Sequence, residues 1–441
     1  MSAKPLAVTG AVLDGEAVGL RCVDGTIAAL GPEIVAEPGD EAIDAAGAPL
    51  VAPLVNGHTH AAMTLFRGYG GDLPLMRWLQ EVVWPIEEKL EAEDVYWGAR
   101  LACAEMIRTG TTRFWDMYWQ PGATARAVRD AGLRATIGGP LFDADGQTEA
   151  MRGTALADLE ELATFGPTVG AALAPHAIYT VSEELLRWTA ELAAEREVPV
   201  HIHLSETEQE VSECLESHGL RPAAYLDRLG VLNKRTVLAH GVWLDRAELG
   251  LIAERGCAVV ANPVANMKLA VGGVFPYPAA RQAGVAVGLG TDGAGSNDSL
   301  DLLSDLKAFA LAQRHTSGDP TVLPAEEAWQ IATGDAAPLL TANEPAVKRF
   351  FGDMERKNVS PDGGRRGALG VGGPADFLLL RARSPELSLG DLYSDLVYAA
   401  SGSVVDTTVV AGRVLMRNGE VPGIEEVVAR AVERSRRLGI G

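Results

Sequence analysis

From about residue 50 to residue 292 the chain repeats one rhythm eight times: a short β-branched or apolar run, then a stretch with helical punctuation. The runs end at His58, at Asp116 after Thr112-Arg113-Phe114-Trp115, and near Gly139 after Ala135-Thr136-Ile137-Gly138. Later ones end at His176, His203, His240, Asn262 and Asp292. Between them, Ser182 followed by Glu183 and Glu184 reads as an N-cap with an acidic first turn. Asp245 with Glu248 three residues on reads as a capping box. Gly110, Gly132, Gly256 and Gly284 fall where helices should end. Eight βα units in about 260 residues fit a (β/α)8 TIM-type barrel. The competing arrangement is an open doubly wound sheet, but no glycine-rich phosphate fingerprint follows the first strand.

The two ends have a different texture. Ala11-Val12-Leu13-Asp14-Gly15 and Leu20 to Ile27 read as short strands joined by Asp-Gly turns. Ala375 to Leu380, Thr408-Val409-Val410 and Arg413 to Met416 repeat that pattern near the other end. We therefore expect a small discontinuous β-sandwich domain built from residues 1–53 and 366–441, flanking a barrel domain over 54–365. Between the two, Glu344 to Gly373 carries Lys348-Arg349, Arg356-Lys357 and Arg365-Arg366 among glycines, which reads as a solvated connection back to the β domain.

A chain of 441 residues has room for a large barrel and a small second domain. The net charge of −21 argues against nucleic-acid or anionic-membrane partners. Cys22, Cys103, Cys214 and Cys257 are widely spaced and form no Cys-x-x-Cys pair, so neither a disulfide framework nor a zinc knuckle is expected. Met1 to Leu20 lacks the pattern of a signal peptide, and no apolar run reaches the ~20 residues of a membrane span. The expectation is a cytoplasmic protein.

Six of the eight histidines lie at or near predicted strand ends: His58, His60, His176, His201, His203 and His240. His58 and His60, two apart in extended backbone, project from the same side of their strand. One such pair is common by chance. Five imidazoles and Asp292 on the same predicted rim are not, because catalytic groups of a (β/α)8 barrel sit at the C-terminal strand ends. Imidazoles with a carboxylate and no thiolate suit Zn²⁺ or a similar ion, with one position left for water. Glu206, three residues after His203, is placed either to act as a general acid/base or simply as a first-turn helix acid beside Glu208 and Glu210. His201 and His203 point the same way, so local sequence does not choose between them. His218 and His315 sit at predicted helix C-termini, where a histidine favours the dipole.

The segments Pro53 to Met63, Asp72-Leu73-Pro74-Leu75 with Trp78, Ala174-Pro175-His176, His201 to Glu206, Leu238 to Gly241 and Gly290 to Gly293 resemble the amidohydrolase superfamily. Within it they resemble the 5′-methylthioadenosine/S-adenosylhomocysteine deaminases of the chlorohydrolase-like branch, over roughly residues 5 to 340 and 370 to 420. The resemblance implies hydrolytic deamination of the 6-amino group of an adenine nucleoside, with release of ammonia. It implies one divalent ion per subunit, Zn²⁺ first, with Fe²⁺ or Mn²⁺ tolerated, held by His58, His60, His203 and Asp292. His201 becomes a supporting residue. Glu206 donates a proton to the purine N1. His240 orients the attacking water and stabilises the oxyanion, and Asp292 accepts the water proton. Glu87, after Trp84-Pro85-Ile86, grips the ribose hydroxyls, His176 contacts the ring N3 or ribose side, and Trp78 lines the pocket. A homo-dimer or tetramer follows by analogy alone.

One departure bears on substrate. Members of that family that take S-adenosylhomocysteine bind its carboxylate with arginines from the loop after the third strand. Here that strand runs into Ile137-Gly138-Gly139-Pro140, and Arg152 is the nearby candidate. The expectation is a preference for an uncharged 5′ group. The competing readings are a relative acting on guanine, a pterin, cytosine or an s-triazine, and a catalytically silent binding barrel. The His-x-Glu and Pro-Cys-x-x-Cys signature of cytidine-type deaminases is absent.

Overall fold

The computed structural model describes residues 4–70, 73–143, 146–341, 369–387 and 390–440. Eight strands stand where the sequence predicts them: Leu54–Thr59, Thr111–Met117, Arg134–Gly138, Val169–Ala171, Val200–Leu204, Thr236–His240, Ala258–Ala261 and Ala286–Leu289. They pair in parallel as two four-stranded arcs, each in chain order. Leu173 bridges Val200 at one seam, where the His201 N–H donates to the Leu173 carbonyl at 2.9 Å. At the other seam the Asp292 N–H donates to the His58 carbonyl at 3.0 Å. The result is a mixed α/β, TIM-barrel-like fold. Nearly every strand residue is buried, as expected of parallel strands covered on both faces.

The expected caps are present. Ser182 accepts from the Leu185 N–H, Asp245 and Glu248 form a reciprocal capping box, and the four glycines close their helices in left-handed backbone. His218 ends Glu208–His218 and stacks on Tyr225 at 4.0 Å, while His315 lies in the last turn of Leu302–Ser317. The third and fourth strands differ from expectation. Each breaks and resumes, at Pro140–Leu141 and Ala174–Pro175, as a separate short parallel pair. Proline has no N–H to give the ladder, so Pro140 interrupts it in the third strand, while in the fourth the break falls at Ala172 and Leu173, whose N–H groups donate to the carbonyls of Ile137 and Pro199.

The end segments form two further four-stranded sheets. One comprises Leu6–Leu13, Glu16–Val23, Thr26–Gly31 and Glu41–Asp44. The other joins Phe377–Leu380, Val405–Val410 and Arg413–Met416 to Leu50–Val51. One apolar cluster takes Leu6, Leu20, Ile27 and Ile43 from early in the chain and Phe377, Leu379 and Val409 from late in it. The expected solvated connection lies, over 342–368, outside the described residues. In its last part Val371 is exposed, as expected, but not every residue is solvated. Leu369 is buried, and the N–H of Gly372 donates to the carbonyl of Ile27 at 2.8 Å, which pins this stretch to the strand Thr26–Gly31.

Two features of the barrel position the site. Beneath the rim, Val55, Trp115, Val237, Val260 and Leu340 fill the interior, and the Trp115 indole N–H donates to the Leu340 carbonyl at 3.0 Å. A Cβ on Gly57 would stand 2.8 Å from Val260 and 3.0 Å from Leu340, so only glycine lets the first strand sit this close before it presents His58. Beyond His60 the chain does not simply turn back. It forms a 3₁₀ helix, Ala61–Phe66, then Leu75–Trp78, a π turn over Leu79–Val83, and Trp84–Glu87. The sequence pattern predicts none of these. Together they carry Trp78 and Glu87 over the strand ends.

Candidate active site

His58 and His60 leave the first barrel strand on one face, with ring centroids 4.9 Å apart. The fifth strand brings His203, and the turn after the eighth brings Asp292. The His60 and His203 Nε2 atoms lie 3.4 Å apart. Asp292 Oδ1 lies 3.3 Å from His60 Nε2 and 3.5 Å from His58 Nε2. His58, His60 and His203 offer ligand atoms that all fall within 4.8 Å of one another.

The hydrogen bonds behind these rings test whether the cluster fits a cation. His60 Nδ1 is 2.5 Å from the Met117 carbonyl and His203 Nδ1 is 2.8 Å from the His176 carbonyl. A carbonyl only accepts, so each Nδ1 carries the proton and each Nε2 is left with a bare lone pair. His58 Nδ1 faces His201 Nε2 at 3.0 Å, and His58 Nε2 is buried without a hydrogen-bond partner. Bare nitrogens aimed at each other and at a carboxylate repel unless a cation lies between them. Burial, then the neighbouring imidazoles, holds His203 well below the usual histidine range, so it is not protonated to relieve this. His58 goes down to about 4, chiefly by burial. The donor set therefore fits a metal ion, with the outer nitrogens of His60 and His203 fixed by backbone carbonyls. His201 is the partner behind His58.

Asp292 is held from several sides. Its Oδ1 accepts from the Gly293 N–H at 2.7 Å and its Oδ2 from the Ser296 hydroxyl at 2.8 Å. Thr59 donates its hydroxyl to the Asp292 carbonyl at 3.1 Å, and Asn56 donates to Thr291 Oγ1 at 2.7 Å. Burial pushes the Asp292 carboxyl up, but the His58 contact and the other imidazoles outweigh it and hold it far below the usual range. Ser205, His240 and Asp292 all leave their strands in left-handed backbone, with φ of 49°, 75° and 63°. For non-glycine residues that costs ~1–2 kcal/mol each, a strain that collects at functional sites.

His240 donates from Nδ1 to Asn266 Oδ1 at 2.8 Å, which leaves Nε2 for a ligand. Glu206 Oε1 lies 3.8 Å from the same Nδ1, too far for a hydrogen bond. Burial lifts the Glu206 carboxyl above its usual range. Burial draws His240 down, but the Glu206 and Asp292 carboxylates reverse this and leave it raised.

These groups open into one cavity. His60, His203, Glu206, His240 and Asp292 line its floor, and Trp78, Glu87 and His176 line its walls. Glu87 accepts from the Trp119 indole N–H at 3.0 Å, and burial raises its carboxyl. His176, drawn down to about 3 mainly by burial, donates to or accepts from Thr180 Oγ1 at 2.9 Å. Of the residues expected in the site, Arg152 is the one not brought there. It sits outside the lining, with Glu184 at 2.8 Å and Glu149 at 3.4 Å. Among the described residues lining the cavity there is no lysine or arginine. Sequence reasoning missed Tyr118, Trp119, Phe142, Tyr179, Ser296 and Asn266. Trp119, Phe142 and His176 form a stack, with centroids 5.5 and 4.4 Å apart. The aromatic density just past the strand end at Asp116 was the available signal for the first two.

The amidohydrolase family model matches residues 50–342. A 5′-deoxyadenosine deaminase of Methanoregula boonei is 46% identical, over 94% of this chain and 90% of that protein. A 5-methylthioadenosine/S-adenosylhomocysteine deaminase of Archaeoglobus fulgidus is 39% identical, over 90% of each. The crystal structure of an adenosine deaminase from Xanthomonas campestris with bound zinc superposes with a TM-score of 0.86 at 32% identity, covering 99% of this chain and 98% of that one. With the family model spanning most of the chain and the donor cluster standing at the barrel rim, this chain belongs to the amidohydrolase family.

Proposed function

We propose that the protein is a metal-dependent hydrolytic deaminase that converts the 6-amino group of an adenine nucleoside to a 6-oxo group and releases ammonia. The observation that carries this is the placement of Glu206 and His240 on one cavity lining with His60, His203 and Asp292, the His240 ring 5.4 Å from that of His203 and 5.5 Å from that of His58. The deaminase names of the relatives at 39–46% identity support the same chemistry.

His58, His60, His203 and Asp292 would hold a divalent ion, which would supply Lewis acidity and bring the pKa of a water at the site to about 7. His240, anchored by Asn266, holds the attacking water through Nε2 and then stabilises the oxyanion as oxygen adds to C6. Asp292, kept ionised, accepts the water proton. Glu206, buried and inclined to stay protonated, delivers its proton to ring N1. Return of the Asp292 proton to the amine lets ammonia depart, and as the C6–O double bond forms the hydroxyl proton passes back to Glu206, restoring both carboxyl groups. Glu87 holds the ribose hydroxyls, backed by Trp119, and His176 contacts the N3 or ribose side.

Three imidazoles and one carboxylate without a thiolate favour Zn²⁺, with Fe²⁺ or Mn²⁺ tolerated. The shared apolar cluster supports reading residues 1–53 and 366–441 as one discontinuous β-sandwich beside a barrel over 54–365. Four buried, unpaired thiols suit a reducing cytoplasm, and among the described residues no helix is long and apolar enough to cross a membrane. A homo-dimer or tetramer rests on family analogy.

The test is loss of adenine ultraviolet absorbance with matching ammonia release. The panel holds methylthioadenosine, 5′-deoxyadenosine, adenosine and S-adenosylhomocysteine, with guanine, cytosine, a pterin and an s-triazine as controls. Turnover confined to the nucleosides is expected. Turnover confined to the free rings would overturn the reading.

A further inference from the structure

Glu206 has to aim its carboxyl without direct help. Among the described residues no side chain hydrogen-bonds that carboxyl, and His240 Nδ1 stands 3.8 Å away. With no hydrogen bond to steer it, its direction depends on packing and on the backbone that carries it. That backbone is unusual, because the preceding residue, Ser205, is in the left-handed region at φ 49°.

The segment after it reads Thr207-Glu208-Gln209-Glu210, a capping-box pattern at the start of the helix Glu208–His218. Half of the box is ordinary: Thr207 Oγ1 accepts from the Glu210 N–H at 3.1 Å. The other half is displaced. In the box at Asp245 and Glu248, the glutamate returns to its own N-cap N–H at 3.1 Å. Glu210 instead reaches one and two residues further back. Its Oε2 accepts from the Glu206 N–H at 2.8 Å and its Oε1 from the Ser205 N–H at 2.9 Å. Glu210 is 3% exposed, so these bonds are dry. The Ser205 carbonyl is tied as well, by the Trp243 N–H at 2.9 Å. A helix-capping device has been turned onto the strained turn that carries Glu206.

We propose that Glu210 is a positioning residue for Glu206: its two carboxylate oxygens fix the turn that directs the proton-donating side chain into the cavity. This rests on the deaminase reading given above. A glutamine at 210 keeps the length but replaces one acceptor with an N–H₂ that faces a backbone donor. The turn then loosens while the floor histidines and cavity walls stay in place.

The experiment compares wild type, E210Q and T207A for kcat per bound metal, KM and Tm. T207A removes the ordinary half of the box and serves as the helix-stability control. The expected result for E210Q is a kcat lowered about 10- to 100-fold with KM within about threefold, the signature of a misdirected proton donor. T207A is expected to lower Tm while kcat per metal stays within about twofold. If E210Q keeps wild-type kcat per metal, or loses activity only in proportion to metal, the proposal fails. Should E210Q not accumulate folded, Glu210→Asp is measured instead. It keeps the charge but is one methylene too short to hold both N–H groups, and unchanged kcat there is equally fatal. A wild-type protein inert on every nucleoside would instead sink the deaminase reading, so the two failures are distinct.

Discussion

His60 and His203 point their Nε2 atoms at each other across 3.4 Å because each is held from behind by a backbone carbonyl, that of Met117 for His60 and that of His176 for His203. Neither ring can rotate away without losing its bond. The repulsion this builds in is relieved by a cation, and it fixes the first expected outcome. Dialysis against a strong chelator should abolish turnover and lower Tm by several degrees, since an ion at ~100 times its Kd stabilises a fold by about 2.7 kcal/mol. Adding Zn²⁺ should restore both. His203→Ala should bind less than about a tenth of the wild-type metal. A stoichiometric ion in that variant, measured by elemental analysis, would place the metal elsewhere.

Glu206→Gln keeps shape and removes the proton. The residue is 6% exposed and its side chain makes no hydrogen bond that folding depends on. Metal content and Tm should therefore stay near wild type, while kcat falls about 10²- to 10⁴-fold, the usual worth of a general acid. Steady-state kinetics beside metal analysis decide this. Retained kcat would return Glu206 to its plainer role as a helix-entry acid.

Much of this architecture was legible because two signals coincided. Six of the eight buried runs end in a histidine or aspartate, so strand ends and site residues are legible together. The caps were equally local, as Gly110 and Asp245 show. What escaped depends on contacts distant in sequence. His201 and His203 share a direction, and only the packing of His201 Nε2 against His58 Nδ1 separates them in space. The walls escaped for a related reason. Trp119 and Phe142 come from different loops and meet His176 only after folding. Arg152 was tempting by sequence distance alone, and Glu184, on the next helix, holds it away.

Asp158 gives a pH test remote from the cluster. Burial, then the neighbouring Glu161, pushes its carboxyl up to about 6, against about 4 in an unfolded chain. The folded state thus binds this proton more tightly than the unfolded state. Its contribution is most favourable below pH ~4 and is lost as pH rises through about 6. Asp158→Asn should raise stability by about 1 kcal/mol at pH 7.5, after allowing for its partial exposure, and by much less at pH 4. Urea melts at the two pH values measure this. An equal gain at both would mean that the carboxyl is not carrying the penalty.

The last prediction concerns the 5′ end of the nucleoside. The loop after the third strand faces the cavity with Pro140 and Phe142, neither of which binds a carboxylate. The next residue, Asp143, spends its own carboxylate on the Ser182 N–H at 2.6 Å and on Thr148 at 2.6 Å, which pins the loop in that position. Arg152 is paired with Glu184, and the described lining carries Glu87, Glu206 and Asp292 but no cation. An amino-acid tail brought into such a cavity would lose hydration around its carboxylate without gaining a partner, at a cost of at least ~1–3 kcal/mol. A methylthio or methyl group would instead lie against aromatic rings. We therefore expect kcat/KM for methylthioadenosine and 5′-deoxyadenosine to exceed that for S-adenosylhomocysteine by about 10-fold or more, in line with that cost. Phe142→Arg should narrow the gap, chiefly by raising kcat/KM for the charged substrate. Side-by-side kinetics on the three nucleosides settle the matter, and equal values in the wild type would show that the tail finds a partner other than these walls.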